Sequence, residues 1–182
     1  MKIRASLYNE THLEYGVVTI PFPIPPDQYD STIGMLESLD IGNPLARDCA
    51  VEELQGPCPI LKRLEGTRVN VDELDYLAKR LDGISPYEKT QFQAAVERYG
   101  LSQVTDLINL TFCCDQATVI VDSSDPEQMG RIYYLTLNGG PTREDMKSLD
   151  GYESSLLLIN QHAGIITPHG PFFHNGSACE TA

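Results

Sequence analysis

The chain has 182 residues, 41% of them hydrophobic, and sets 26 Asp and Glu against 13 Lys and Arg for a formal net charge of -13. That length can bury one sizeable core, or two or three small ones, without metal or disulfide staples. The charge repels nucleic acid and anionic membranes and so excludes a basic nucleic-acid-binding protein. There is no run of about 18 apolar residues for a membrane span and no apolar centre of a signal peptide in MKIRASLYNE, so a cytoplasmic protein is expected.

Ile3, Ala5 and Leu7 alternate with Lys2, Arg4 and Ser6, the period of a half-buried strand. Val17 to Ile20 reads as its partner strand, and Pro21, Pro23, Pro25 and Pro26 are expected to stop the pairing. A helix follows from about Asp27 to Leu39, burying Tyr29, Ile33, Leu36 and Leu39. Ala46 to Leu54 and Ile60 to Leu64 read as strands joined across Gly56-Pro57-Cys58-Pro59.

The next segment is a cassette of short acidic helices. Val71, Leu74, Leu77, Ala78 and Leu81 recur at helical spacing behind a capping-box-like Asn70 and Glu73, giving a helix over 71–82. Ser85, Pro86 and Glu88 open a second helix, which buries Phe92, Ala95, Val96 and Tyr99 before Gly100 ends it. A third begins at Ser102 and carries Val104, Leu107 and Ile108. Beyond it, Ala117 to Val121 is a β-branched run, and Asp125-Pro126-Glu127 caps a helix bearing Met129, Ile132 and Tyr133. Thr142 with Asp145 starts another short helix, and Ile165 to Phe173 reads as a hairpin turning at His169-Gly170. The fold class expected is α+β: an elongated chain of two or three small subdomains around the cassette. The boundaries fall at 1–66, an N-terminal α+β subdomain, 67–114, the helical cassette, and 115–182, a C-terminal α/β subdomain.

Catalytic chemistry has little to stand on. The cysteines at 49, 58, 113, 114 and 179 make no CxxC pair, and Cys113-Cys114 follow an apolar helix end, which favours burial over reactivity. His162, His169 and His174 crowd the C-terminal region, where they could meet a metal or act as acid and base. Their spacing is not HxxxH and turn residues surround them, so exposed turn histidines are the simpler reading. Gly139-Gly140 before Pro141-Thr142 lacks the lysine of a phosphate loop. Neither a cofactor nor a metal site is expected, and the protein is not expected to be an enzyme.

Three separated pieces carry a resemblance. They are Tyr8 and Tyr15-Gly16 leading to Thr19-Ile20-Pro21-Phe22-Pro23, the helix Val71-Asp-Glu-Leu-Asp-Tyr-Leu-Ala78, and Gly164 with Thr167-Pro168-His-Gly170. In their order and spacing the chain resembles the ArdA-type antirestriction proteins of mobile elements, acidic proteins that block type I restriction-modification enzymes by imitating DNA. The resemblance implies a non-enzymatic DNA mimic, an elongated homodimer that touches a protein partner and no nucleic acid directly.

Mimicry requires carboxylates standing in for phosphates on a stiff scaffold, since duplex DNA carries about one charge per 1.7 Å of axis. The candidates are Asp72, Glu73, Asp75, Asp82, Glu88, Glu97 and Asp106 in the cassette, with Glu144, Asp145, Asp150 and Glu153 beyond it. Ordinary helix design explains part of this pattern, because acids favour a first helical turn and bases a last one, and Asp75 to Lys79 is a plain i,i+4 pair. Lys62, Arg63, Arg68, Lys79, Arg80, Lys89 and Arg98 run through the same region, and on a shared face they would break up a DNA-like potential. The rival class is a small-molecule-binding or hydrolytic protein with a site between subdomains, lined by Cys113, Cys114 or the C-terminal histidines.

Overall fold

Alternation at the N-terminus produces the first strand, β1 (Ile3–Tyr8), with Ile3, Ala5 and Leu7 fully buried. The computed structural model describes residues 2–138, 147, 149–160 and 164–174. The fold is mixed α+β with two small antiparallel sheets, and the chain divides into two units, Met1–Ser85 with Leu101–Thr111 and Pro86–Gly100 with Phe112–Ala182. Among the described residues no helix is long and apolar enough to cross a membrane.

In the first unit β1 pairs with β2 (Val17–Phe22) and β3 (Cys49–Gln55), and β3 pairs with β4 (Arg68–Val69), giving the order β2-β1-β3-β4. Pro21 does not end β2: it sits opposite Arg4, and Phe22 opposite Ile3. Proline is tolerated because β2 is an edge strand whose outward N–H needs no partner. Ser6 pairs with Glu53 but Leu7 with Val51, so Glu52 is an extra bulge residue, which turns Glu52 and Glu53 both outward. The expected strand at Ile60 to Leu64 is instead a 3-10 helix, Pro59–Leu64. Leu61 and Leu64, both buried, lie three residues apart and therefore eclipse on a three-residue turn, and Pro59 suits a helical start.

Helix α1 (Tyr29–Glu37) is shorter than the expected 27–39 because a 3-10 turn, Pro26–Gln28, precedes it, and it buries Thr32 and Leu36. Helix α2 (Val71–Gly83) buries Val71, Leu74, Leu77, Ala78 and Leu81 as their spacing demands, each large side chain contributing about 1.5–3 kcal/mol. It packs on α4 (Val104–Leu110), which starts at Val104 rather than Ser102 and buries Val104, Leu107 and Leu110.

Asn70 fixes the start of α2. Its Oδ1 accepts from the N–H groups of Asp72 and Glu73, at 2.9 and 3.1 Å. Its Nδ2 donates to the carbonyls of Pro44 at 3.0 Å and Ala46 at 2.9 Å. Asn70→Ala should therefore cost about 2–3 kcal/mol, the cap plus the orphaned carbonyls, and Asn70→Asp about half that, since aspartate caps but cannot donate. Equal losses for the two variants in urea unfolding would show that the cap contributes nothing, and an Asn70→Asp variant as stable as wild type would show that the donor side contributes nothing.

The second unit holds α3 (Pro86–Tyr99), β5 (Ala117–Val119), α5 (Pro126–Asn138), α6 (Gly151–Asn160), β6 (Gly164–Thr167) and β7 (Gly170–His174). The strands order β5-β7-β6, and Thr167 pairs with Gly170, so the hairpin turns at Pro168-His169. Asp125 caps α5 as expected, its Oδ1 accepting from Glu127 N at 3.0 Å and Gln128 N at 3.2 Å. Met129 and Tyr133 bury with Ile120 and Phe173, the Tyr133 and Phe173 rings meeting edge to face at 5.1 Å. The helix start expected at Thr142 and Asp145 lies outside the described residues. The segment 67–114 contributes to both units, α2 and α4 to the first and α3 to the second.

Candidate acidic surface

The carboxylates read from the sequence meet different fates. In the first unit Asp75 is buried at 4% exposure; its Oδ1 accepts from Ile24 N–H at 2.6 Å and its Oδ2 lies 2.5 Å from Lys79 Nζ. It is a brace between α2 and the chain after β2, not a surface acid. The pattern held a signal: Asp75 falls four residues after Val71 and three before Ala78, on the helix's buried stripe. Asp72 is half-buried and accepts from the Tyr29 hydroxyl at 2.7 Å, and Glu73, also half-buried, lies 3.5 Å from Arg47 Nε. Asp82 and Asp106 are exposed.

In the second unit Glu97, Asp150 and Glu153 are exposed and Glu88 is half-buried. Asp150 caps α6, accepting from Tyr152 N at 2.9 Å and Glu153 N at 3.0 Å. Glu144 and Asp145 lie outside the described residues. Sequence reasoning passed over other exposed acids: Glu52 and Glu53 at the bulge, and Asp122, whose carboxyl is held below the ordinary range by the Ser124 hydroxyl and N–H.

Several bases that could neutralise these acids are drawn into local contacts. Lys79 turns to buried Asp75, and Arg80 donates to the Thr111 hydroxyl and carbonyl, each at 3.2 Å, tying α2 to the end of α4. Arg68 pairs with Glu10 at 2.6 Å.

The chemistry of a nucleophilic or metal site is weak here. Cys49, Cys58 and Cys114 are buried and Cys113 is half-buried; burial, with the charge and hydrogen bond of Asp48, pushes the Cys49 thiol up to about 12. Among the described residues no cluster of three or more His, Cys, Asp or Glu could hold a metal ion. His162 lies outside the described residues, His169 sits half-buried on the hairpin turn, and His174 Nε2 meets the Tyr99 hydroxyl. That contact places the Tyr99 hydroxyl at the solvent boundary, so this residue, expected in the core, is 39% exposed. A half-open cleft of about 750 Å³ lies in the second unit, beside the β6–β7 hairpin and the start of α5.

No protein-family model matches the chain, and no curated protein is significantly similar to it.

Alkaline stability follows from two groups of the first unit. The hydrogen bond to Asp72, then burial, raises the Tyr29 hydroxyl from 10.0 to about 12, and the Cys49 thiol rises from 9.0 to about 12. Both keep their protons in the folded chain at pH values where the unfolded chain has lost them. Their contribution is whole below about pH 9 and drains away as pH climbs towards 12. Urea midpoints should fall steadily above pH 9, and Tyr29→Phe should flatten the upper part of that fall. An unchanged slope in the variant would remove Tyr29 from the account.

Proposed function

We propose that the protein is an antirestriction protein of the ArdA type, a non-enzymatic DNA mimic that occupies the DNA-binding groove of a type I restriction-modification enzyme. In this reading it works in the cytoplasm of a host that carries a mobile element, needs no cofactor, binds no nucleic acid itself and acts as a homodimer, which doubles its charge. The cassette supplies stiff helices, and the carboxylates supply the phosphate-like potential.

The observation that carries the reading is the fate of the bases. Lys79 is held by buried Asp75 and Arg80 by Thr111, while Asp82 of α2 and Asp106 of α4 are exposed in a chain of net charge -13. A surface of that sign steers towards a basic groove, and its attraction fades as salt screens it over about 10 Å at 0.1 M.

The direct test is competition. The purified protein should displace duplex DNA from a type I restriction-modification enzyme at moderate salt, and displacement should weaken as salt rises. No displacement at protein concentrations far above the enzyme's would end the proposal.

A further inference from the structure

The loop of the first unit between α1 and β3 holds one apolar side chain out into solvent. Gly42 turns the chain at φ 90° and leaves no room for a Cβ, which would lie 2.8 Å from Leu36 Cβ in the core. The Asp48 carboxylate accepts from the N–H groups of Gly42 at 3.0 Å and Asn43 at 2.9 Å, and Asn43 Oδ1 accepts from Leu45 N–H at 2.9 Å. Ala46 N–H donates to Asn43 O at 3.0 Å, and the Asn70 amide donates to the carbonyls of Pro44 and Ala46, one on either side of Leu45. The backbone of this tip is thus tied to β3, to α2 and to itself. Leu45 is nevertheless 95% exposed, the highest value of any large hydrophobic side chain among the described residues. A leucine on a mobile tip is ordinary surface, and docking it would cost the ordering of the loop. Here folding has already ordered it.

Beside the tip, between the loop and the end of α1, lies a recess of about 650 Å³. Its wall includes Ile33, Pro44, Glu37, Asp40 and Asp48, and no Lys or Arg. Asp48 is taken up by the loop's own N–H groups, whereas Glu37 and Asp40 are exposed and set the sign of the recess. Arg47, the nearest base in sequence, lies towards the helices, its Nε 3.5 Å from Glu73 of α2 and its guanidinium 3.5 Å from the Thr105 hydroxyl of α4. An apolar knob therefore stands next to an acidic hollow, and the surface that complements the pair has an apolar pocket next to a cation.

We propose that Leu45 is a preformed anchor for a basic partner protein: its side chain enters an apolar pocket of the partner while a Lys or Arg beside that pocket enters the recess. This rests on the DNA-mimic reading and adds to it what the restriction-modification enzyme must offer beyond a basic groove. Charge alone draws an acidic chain to any basic surface, and that attraction fades with salt. Burial of a leucine is not screened, and it succeeds only where a pocket of the right size exists, so the anchor supplies the part of the binding that selects one basic protein from others.

Leu45→Ser removes the anchor from a side chain that meets solvent, so thermal unfolding of the variant should match wild type. In competition with duplex DNA for a type I restriction-modification enzyme, it should raise the concentration needed for half displacement on the order of 30-fold, by the same factor at every salt concentration. Leu45→Met keeps an apolar side chain of similar volume and should stay within about threefold of wild type. Neutralising the recess with Glu37→Gln and Asp40→Asn should behave differently, with a loss on the order of 10-fold at low salt that shrinks as salt rises. If wild type displaces DNA and Leu45→Ser does so equally well, or if Leu45→Met loses as much as Leu45→Ser, the anchor is overturned and the DNA-mimic reading stands. A recess variant that binds like wild type at low salt overturns the placement of the partner's cation. A wild-type chain that displaces no DNA ends the DNA-mimic reading and the anchor with it.

Discussion

Replacing Gly130 by alanine is expected to destabilise the second unit by at least about 3 kcal/mol, lowering its melting temperature by roughly 15 °C. Helices α5 and α6 cross on a patch of small residues, Gly130 against Gly151 and Ser155. A Cβ built at Gly130 would lie 1.7 Å from the Gly151 carbonyl oxygen and 2.6 Å from Ser155 N, both backbone atoms that cannot rotate aside. One at Gly151 would lie 2.3 Å from Glu127 O. The serines of the crossing are buried, but their hydroxyls turn back onto their own helix: Ser154 donates to Asp150 O at 3.0 Å and Ser155 to Tyr152 O at 2.7 Å. No polar group is left orphaned by the close approach, so the methyl has only strain to add. Gly34→Ala in α1 is the matched control, because nothing lies within 4 Å of its Cβ. There the ordinary helix preference for alanine should stabilise the first unit by about 0.5–1 kcal/mol. Thermal unfolding of the two variants should shift in opposite directions, and a mild Gly130→Ala would mean that the helices can separate at little cost.

How much of this was legible in the sequence depends on what set each feature. Period and capping chemistry are local, so β1, α2 with its Asn70 cap and α5 with its Asp125 cap could be read from neighbouring residues alone. Pro59–Leu64 could not be told from a strand by its hydrophobicity; only the three-residue interval between Leu61 and Leu64 distinguishes a 3-10 turn. The continuation of β2 through Pro21 depends on its being an edge, which is a property of the whole sheet. The Gly130–Gly151 crossing joins residues from separate helices, and no spacing rule announces it. Among the carboxylates, composition gave the sign of the surface but not the division of labour. Asp75 reads as one more acid of a first turn until its stripe is compared with Val71 and Ala78, and Ile24, its partner, lies 51 residues away in sequence.

On the proposed DNA-mimic reading, reversing Asp82, Glu97, Asp106 and Glu153 together to lysine is expected to weaken inhibition of a type I restriction-modification enzyme on the order of 1,000-fold, four contacts at roughly 1 kcal/mol each. All four are exposed, whereas Asp75 is buried and Asp150 caps α6. Asp82 and Glu97 lie near the C-terminal ends of α2 and α3, where the helix dipole favours a lysine, so those two changes should not weaken folding. Asp75 must stay out of the set, since its removal would strand Ile24 N–H and unfold the brace, and any loss of inhibition would then say nothing about the surface. Each reversal adds two charges, which takes the chain from -13 to -5. Net charge alone must be separated from placement, so a second variant reverses Glu52, Glu53, Asp27 and Asp30, also exposed, for the same total. Mimicry through the helices requires the first set to lose far more inhibition than the second. Equal losses would reduce the effect to long-range attraction between an acidic protein and a basic one, and no loss in the first set would move the active surface off these helices altogether.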